Sequence, residues 1–394
     1  MWRPRAELKG AYDVVVVGGG AHGLATAYEL TKLGITNVAV LEKSYIGSGA
    51  AGRNTTILRS NYRTPEGARF YDASLKLYEQ LAGELDFNLL FSQNGHLTLA
   101  HSDRSVFVMR ERAEVNQLLG IDSRFIGPDE VRALAPAMQV HPDATYPIIG
   151  ALYHPPGGII RHDAVVWGYA RAADRGGAEI HPYTELTGIE RSNGRVSGVQ
   201  TTRGPIRTGT VVNATAGWST LVADMAGVAL PVTTHILQAF VTEPLKPLLD
   251  VVIVSSQMHV YISQTDRGEI LVGAEIEPWT TYRMNGTLNF LQESSRHLLE
   301  LFPQLEHANV LRSWAGLCDV TPDFSPILGR TEVDGFVISA GWGTYGFKAS
   351  PIVGKTIAEL IASGRTPRLI EPFALERFYS DQLVSEAAAA AVSH

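Results

Sequence analysis

One cysteine, Cys318, stands in 394 residues, so no disulfide can form within the chain, and such sparse use fits a reducing compartment. The ordinary role of a lone cysteine is that of a small buried hydrophobe. Positive charge is also short. The 33 Lys and Arg face 40 Asp and Glu, a net of −7, whereas a nucleic-acid-binding surface needs a basic excess. No apolar run approaches the roughly 18 residues of a membrane span. The opening MWRPRAELKGAY is basic but lacks the apolar core of a secretory signal. Internal repeats and long Pro- or Ser-rich linkers are missing. His235 and His259 have no metal-site spacing and read as structural, so no metal is expected. These absences predict a cytoplasmic protein with neither a membrane nor a nucleic acid as partner.

What is present is enough apolar sequence, 45 % against 19 % charged residues, to build more than one ordinary core. With no linker in sight, the chain should pass more than once between two domains. The alanine-rich end, SEAAAAAVSH, reads as a frayed tail or a docking strand.

The strongest motif comes early. YDVVVVGGGAHG runs a valine strand into Gly18-x-Gly20-x-x-Gly23, LATAYELTKLG follows as an amphipathic helix stopped by Gly34, and NVAVLEK is a second strand closing on Glu42. Glycines at these places allow a tight turn and close approach of the backbone to a pyrophosphate. The helix N-terminus faces that negative charge, and an acid about 20 residues on holds a ribose. Glu42 lies 19 residues after Gly23. A lone glycine fingerprint is weak; one set in strand, helix, strand and acid is specific.

Two later stretches decide which dinucleotide. IRTGTVVNATAGWST is a strand ending in small residues, and FVISAGWGTYGFKASPIVGKTIAELIASG reads as strand, glycine-rich loop and helix. Such a loop sets backbone N–H groups and a helix's positive end beside developing negative charge. A reduced flavin develops that charge on its pyrimidine edge and a nicotinamide does not, so FAD is the better fit.

Between these landmarks, SGAAGRNTTILRSNY leads into a helix started by Thr64, Pro65 and Glu66 with apolar positions at Phe70, Leu77, Tyr78, Leu81 and Leu85,. Arg59 in this stretch either pairs with an acid or supplies the planar fork that grips a carboxylate in two bonds. A second polar group, Arg161-His162-Asp163, sits between GGII and AVVW. Its bland reading is a helix start capped by Asp163.

The runs DVVVVGGGAHGLATAYELTKLGITNVAVLEK, GRNTTILRSNY, RHDAVVWGYARAA, HVYISQTDRGEILVGAEI, WAGLCDVTPDFSPILG and GWGTYGFKASP resemble the beta subunits of heterotetrameric sarcosine oxidases, within the wider D-amino-acid-oxidase-like flavoproteins. The resemblance covers nearly the whole chain. It implies an α/β flavoprotein of the two-dinucleotide-binding-domain type, with a Rossmann-like FAD domain from residues 1–85, 150–217 and 318–380. An interleaved α+β substrate domain, 86–149 and 218–317, would carry an antiparallel sheet, with a tail at 381–394.

By the same resemblance the protein is an FAD-dependent amine oxidoreductase. FAD is noncovalent and FMN is attached through His162, with Arg161 and Asp163 setting the imidazole's charge and tautomer. Arg59 and Lys348 hold the substrate carboxylate. Gly18, Gly20, Ala21, His22, Gly23, Glu42, Arg53, Asn54, Ser60, Gly343, Gly346 and Lys348 meet the cofactor, His22 as a packing residue. The implied reaction is oxidative demethylation of sarcosine, electrons passing from FAD to FMN to oxygen. Companion subunits complete a heterotetramer, and tetrahydrofolate is a possible acceptor of the one-carbon unit.

Two alternatives stand beside this: another N-alkyl amino acid, such as N-methylglutamate or a proline derivative, or a subunit that only relays electrons. Tyr345 departs from the family pattern, in which a second glycine is usual, and so bears on the choice of substrate. Leu271 in GEILVGAEIE stands where monomeric relatives place the lysine that assists oxygen, so reduced FAD here should be slow with oxygen.

Overall fold

The computed structural model describes residues 7–141 and 144–386. The first half of MWRPRAELKGAY and the alanine-rich end from residue 387 lie outside the described residues.

Four valines, Val14–Val17, form the centre of a six-stranded sheet. Val38–Leu41 and then Glu179–His181 lie parallel on one side; Val211–Asn213 and Phe336–Ala340 lie parallel on the other, with Ile327–Arg330 closing the edge antiparallel. Strands buried on both faces read as unbroken apolar runs, as these do. The late strand Val211–Asn213 therefore returns beside the first glycine turn, as expected of a two-lobed flavoprotein sheet.

On one face pack the helices Ala21–Lys32, His162–Arg175 and Ser350–Ser363. The first and last cross so closely that a Cβ on Gly354 would stand 2.7 Å from Ala25. The long helix Pro65–Leu85 joins this layer. Thr64 caps it by accepting the Gly67 N–H, and Pro65 fits the first turn because its missing donor has no partner to lose,. The opposite face is covered by the small antiparallel sheet Leu186–Ser192, Arg195–Thr201 and Ile206–Arg207 and the helix Ser219–Met225.

A second sheet has eight strands, ordered Val310–Val320, Thr233–Pro244, Glu269–Ile276, Val260–Gln264, Val252–Ser255, His96–Ala100, Gly150–His154 and Arg124–Ile126. Neighbouring strands run antiparallel, as expected, except where Val252–Ser255 lies parallel to His96–Ala100. Gly150–His154 pairs along its whole length with His96–Ala100. The helix Leu288–Leu301 covers one face. The other face turns toward the glycine-rich edge of the first sheet, and a cavity lies between them.

Candidate active site

At one end of the cavity the chain leaves Val17 through Gly18, whose φ of +111° only glycine adopts without strain,. A Cβ there would collide with the Ala214 carbonyl at 2.4 Å, and one on Gly23 would sit 2.0 Å from the Gly18 carbonyl. Gly23 thus serves the turn's own packing and does not line the cavity. Gly20 is different, because the nearest atom to an added Cβ is 3.7 Å away. Its missing side chain leaves room on the cavity side. Gly20 caps the helix Ala21–Lys32 with no side-chain acceptor and no acid in the first turn, so the first-turn N–H groups beside the cavity suit an anion from outside the chain.

Glu42 stands on the wall beside this turn. One carboxylate oxygen accepts the Gly19 N–H at 2.9 Å; the other accepts the Ser44 N–H at 2.8 Å and the Ser48 hydroxyl at 3.2 Å. Held by three donors, it keeps its remaining lone pairs for a hydroxyl. His22 donates through Nε2 to the Gly346 carbonyl at 2.6 Å and accepts at Nδ1 from Ser339, 3.1 Å away. Burial drops it to about 4, so it is a neutral brace between the two glycine-rich loops.

Arg53 donates to the carbonyls of Ser48 and Gly49, and Asn54 bonds the Ala51 carbonyl and the Thr56 N–H. Both line the cavity by stiffening its loop. The second loop, Gly341 to Lys348, hangs on Asp319, whose carboxylate accepts the Gly341 N–H at 2.6 Å and whose carbonyl accepts that of Gly343. Burial pushes the Asp319 carboxyl up to about 6. Gly343, at φ +51°, and Gly346 belong to the cavity wall. Sequence reasoning missed Asp319, because nothing near it in the chain marks it as the loop's anchor.

At the far end the cations gather. Arg59 donates to Asn61 through its side-chain and main-chain oxygens, at 3.1 and 3.3 Å, and lies 4.3 Å over the Tyr62 ring and 5.9 Å from that of Tyr345. Lys348 stands 5.2 Å from the same Tyr345 ring. Burial, and then the Arg59 charge, holds the Lys348 ammonium well below its usual range. A carboxylate between the two would restore it. Tyr345 is buried against Tyr62 and Tyr71 and offers its ring to both cations.

Two further expected residues stand off the cavity wall. Ser60 is buried, its N–H donating to His154 Nε2 at 3.2 Å. His162 begins the helix His162–Arg175 with its ring partly exposed. Burial lowers it, the neighbouring Asp163 opposes this, and Arg161 and Arg312 add to the lowering. Arg161 pairs with Asp163 at 3.0 Å and with Asp266 at 3.1 Å. The flanking charges therefore hold each other, and act on the imidazole through space; Asp163 also accepts the Ala164 N–H at 2.9 Å. Among the described residues no cluster of three or more His, Cys, Asp or Glu could hold a metal, and no helix is long and apolar enough to cross a membrane. His235 bonds Glu277 and Thr233 at the sheet edge.

A glycine turn with an open helix end, a fixed acid at ribose distance and a second glycine loop facing them make a dinucleotide site of the flavoprotein kind. The chain belongs to the FAD dependent oxidoreductase family, whose model matches residues 13–360. It is 45 % identical over 389 residues to the sarcosine oxidase subunit beta of an Arthrobacter species, covering 98 % of this chain and 96 % of that one. To the corresponding subunit of Rhodobacter capsulatus it is 44 % identical, over 98 % and 94 %. Among solved structures it resembles L-proline dehydrogenase from P. horikoshii, with a TM-score of 0.90 and 32 % identity over 96 % of this chain and all of that one. Glycine oxidase from Geobacillus kaustophilus follows, at 0.86 and 25 % over 94 % and 99 %.

Proposed function

We propose that this chain is the catalytic beta subunit of a multi-subunit sarcosine oxidase. The observation that carries this reading is the Arg59–Lys348 pair at the far end of an FAD-type cavity, in a chain so close to subunits of that name. Bound FAD would supply the two-electron acceptor for oxidation of the amine to an imine.

The chain's own residues do the rest. Gly18, Gly20 and the start of the first helix take the pyrophosphate, Glu42 a ribose, and Arg59 and Lys348 the carboxylate, which fixes the methyl group's position. Together the two cations favour loss of the substrate's ammonium proton. His162 offers a neutral, partly exposed imidazole beside Arg312 as the attachment point for FMN, the relay to oxygen. Leu271 brings no cation to the site, consistent with electrons leaving FAD for that second flavin.

An N-alkyl amino acid other than sarcosine is the second reading, favoured by the 0.90 TM-score to a proline dehydrogenase. Dye reduction with sarcosine, N-methylglutamate and proline separates them. The highest kcat/KM should fall to sarcosine, and a clear preference for either of the others would replace it. After acid precipitation the pellet should stay yellow; a colourless pellet would remove the covalent FMN.

A further inference from the structure

His96 opens the strand His96–Ala100 and pairs across to His154 on one side and to Val252 on the other. The two histidines are finished differently. His154 uses both ring nitrogens, Nδ1 donating to the Asp122 carbonyl at 2.6 Å and Nε2 accepting the Ser60 N–H at 3.2 Å. His96 is 1 % exposed, lines the cavity, and has no partner for either nitrogen among the described residues. Gly157 lies so close behind it that a Cβ there would stand 2.6 Å from the His96 Cβ, so the position next to His96 admits no side chain. A buried donor and acceptor left open at a cavity wall carry a cost that a ligand can remove. An amino acid held by its carboxylate supplies the complement to the acceptor, an ammonium N–H.

We propose that His96 is the residue that meets the substrate's amine and takes its ammonium proton. This rests on the amino-acid reading of the site given above. The substrate N–H bond breaks, its electron pair stays on nitrogen, and a new N–H forms on the imidazole; no electrons leave the substrate until the hydride does.

The groups that bear on His96 are Arg59, Arg112 and Lys348, with His154 from the adjacent strand; Val252–Ser255 on its other side contributes no titratable group. Burial and then these charges favour the neutral imidazole, whose lone pair is available. A carboxylate between Arg59 and Lys348 cancels part of that positive field and raises the basicity of His96, while the cations lower that of the amine. The two proton affinities converge once substrate is in place.

The pH dependence of anaerobic FAD reduction in stopped flow tests this. If His96 accepts the proton, free enzyme plus zwitterion is the competent pair. The second-order reduction constant of the wild type should then be nearly flat from pH 7 to 9. In His96→Ala and His96→Asn only the free amine is competent. The constant should fall at least about tenfold at pH 7 and rise about tenfold per pH unit toward the amine's own pKa of about 10. Methoxyacetate, a carboxylate with an ether in place of the amine, should perturb the flavin spectrum of all three proteins with affinities within about twofold, which also reports an intact fold. A wild type that sarcosine does not reduce would end the sarcosine reading itself. A reducible wild type with variants of equal rate and equally flat profile would overturn the role of His96 and pass the proton to Lys348. Loss of methoxyacetate binding in both variants would make His96 a structural residue and overturn it as well.

Discussion

At the glycine-turn end of the cavity the protein answers its own polar groups: Glu42 has three donors, His22 has both nitrogens engaged, and Asp319 accepts the loop above it. At the cation end His96 and the hydroxyl of Tyr345 belong to the cavity wall and are buried without a partner among the described residues. Each such group costs on the order of 1–3 kcal/mol if it stays unmet. The first end is finished by folding and accepts a ligand into a rigid frame. The second is finished only when a small polar ligand or water arrives, so its stability and its chemistry are both tied to what occupies it.

The contrast breaks most completely at the rigid end. Gly23→Ala would place a Cβ 2.0 Å from the Gly18 carbonyl, and the purified variant should emerge without FAD; a stoichiometric flavin content would show that the turn can yield. At the other end, each charge-assisted bond in a dry site contributes about 1.5–3 kcal/mol. Arg59→Ala should therefore raise the sarcosine half-saturation for FAD reduction at least about tenfold while FAD stays bound. An unchanged half-saturation would remove Arg59 from substrate binding.

His162→Ala should keep sarcosine-driven bleaching of FAD yet slow its reoxidation by air at least about tenfold. Turnover with oxygen at the unmodified rate would make FAD the oxygen site. Glu42→Gln sharpens the comparison more gently: FAD retention should weaken several-fold, leaving the acid-stable flavin unchanged, and joint loss of both flavins would contradict separate sites.

The smallest effect concerns pH. Burial lowers His22 and His154 to about 4 in the folded chain, against about 6.5 unfolded. The unfolded state therefore binds more protons between those values, and stability is fully present above about pH 6.5 and declines as pH falls toward 4. Melting temperatures of the wild type across that range should drop more steeply than those of His154→Asn. Parallel curves would mean that His154 is not held neutral by the fold.

The rigid end was legible in the sequence because its signals are local. Gly18, Gly20, Gly23 and Glu42 lie within one strand–helix–strand unit, and the spacing alone implies what they do. Arg59, Lys348 and His162 carried meaning mainly through family resemblance. Ser60 sits in the same short run as Arg59, yet faces His154 and not the cavity, a distinction that one step of extended backbone decides. His96, Tyr261 and Asp319 were invisible for a related reason. They reach the cavity through pairings such as His96 with His154 and Tyr261 with Gly273, and no spacing along the chain encodes those. Gly150–His154 likewise joins its sheet by a ladder to His96–Ala100, far back in the chain.

The dependence of the cation end on an amino-acid ligand is tested most directly by anaerobic titration of the FAD-loaded protein with sarcosine, read at the flavin's visible absorbance. Saturable bleaching of the bound FAD is the predicted result. A flavin spectrum unchanged at saturating sarcosine, with FAD bound throughout, would contradict it.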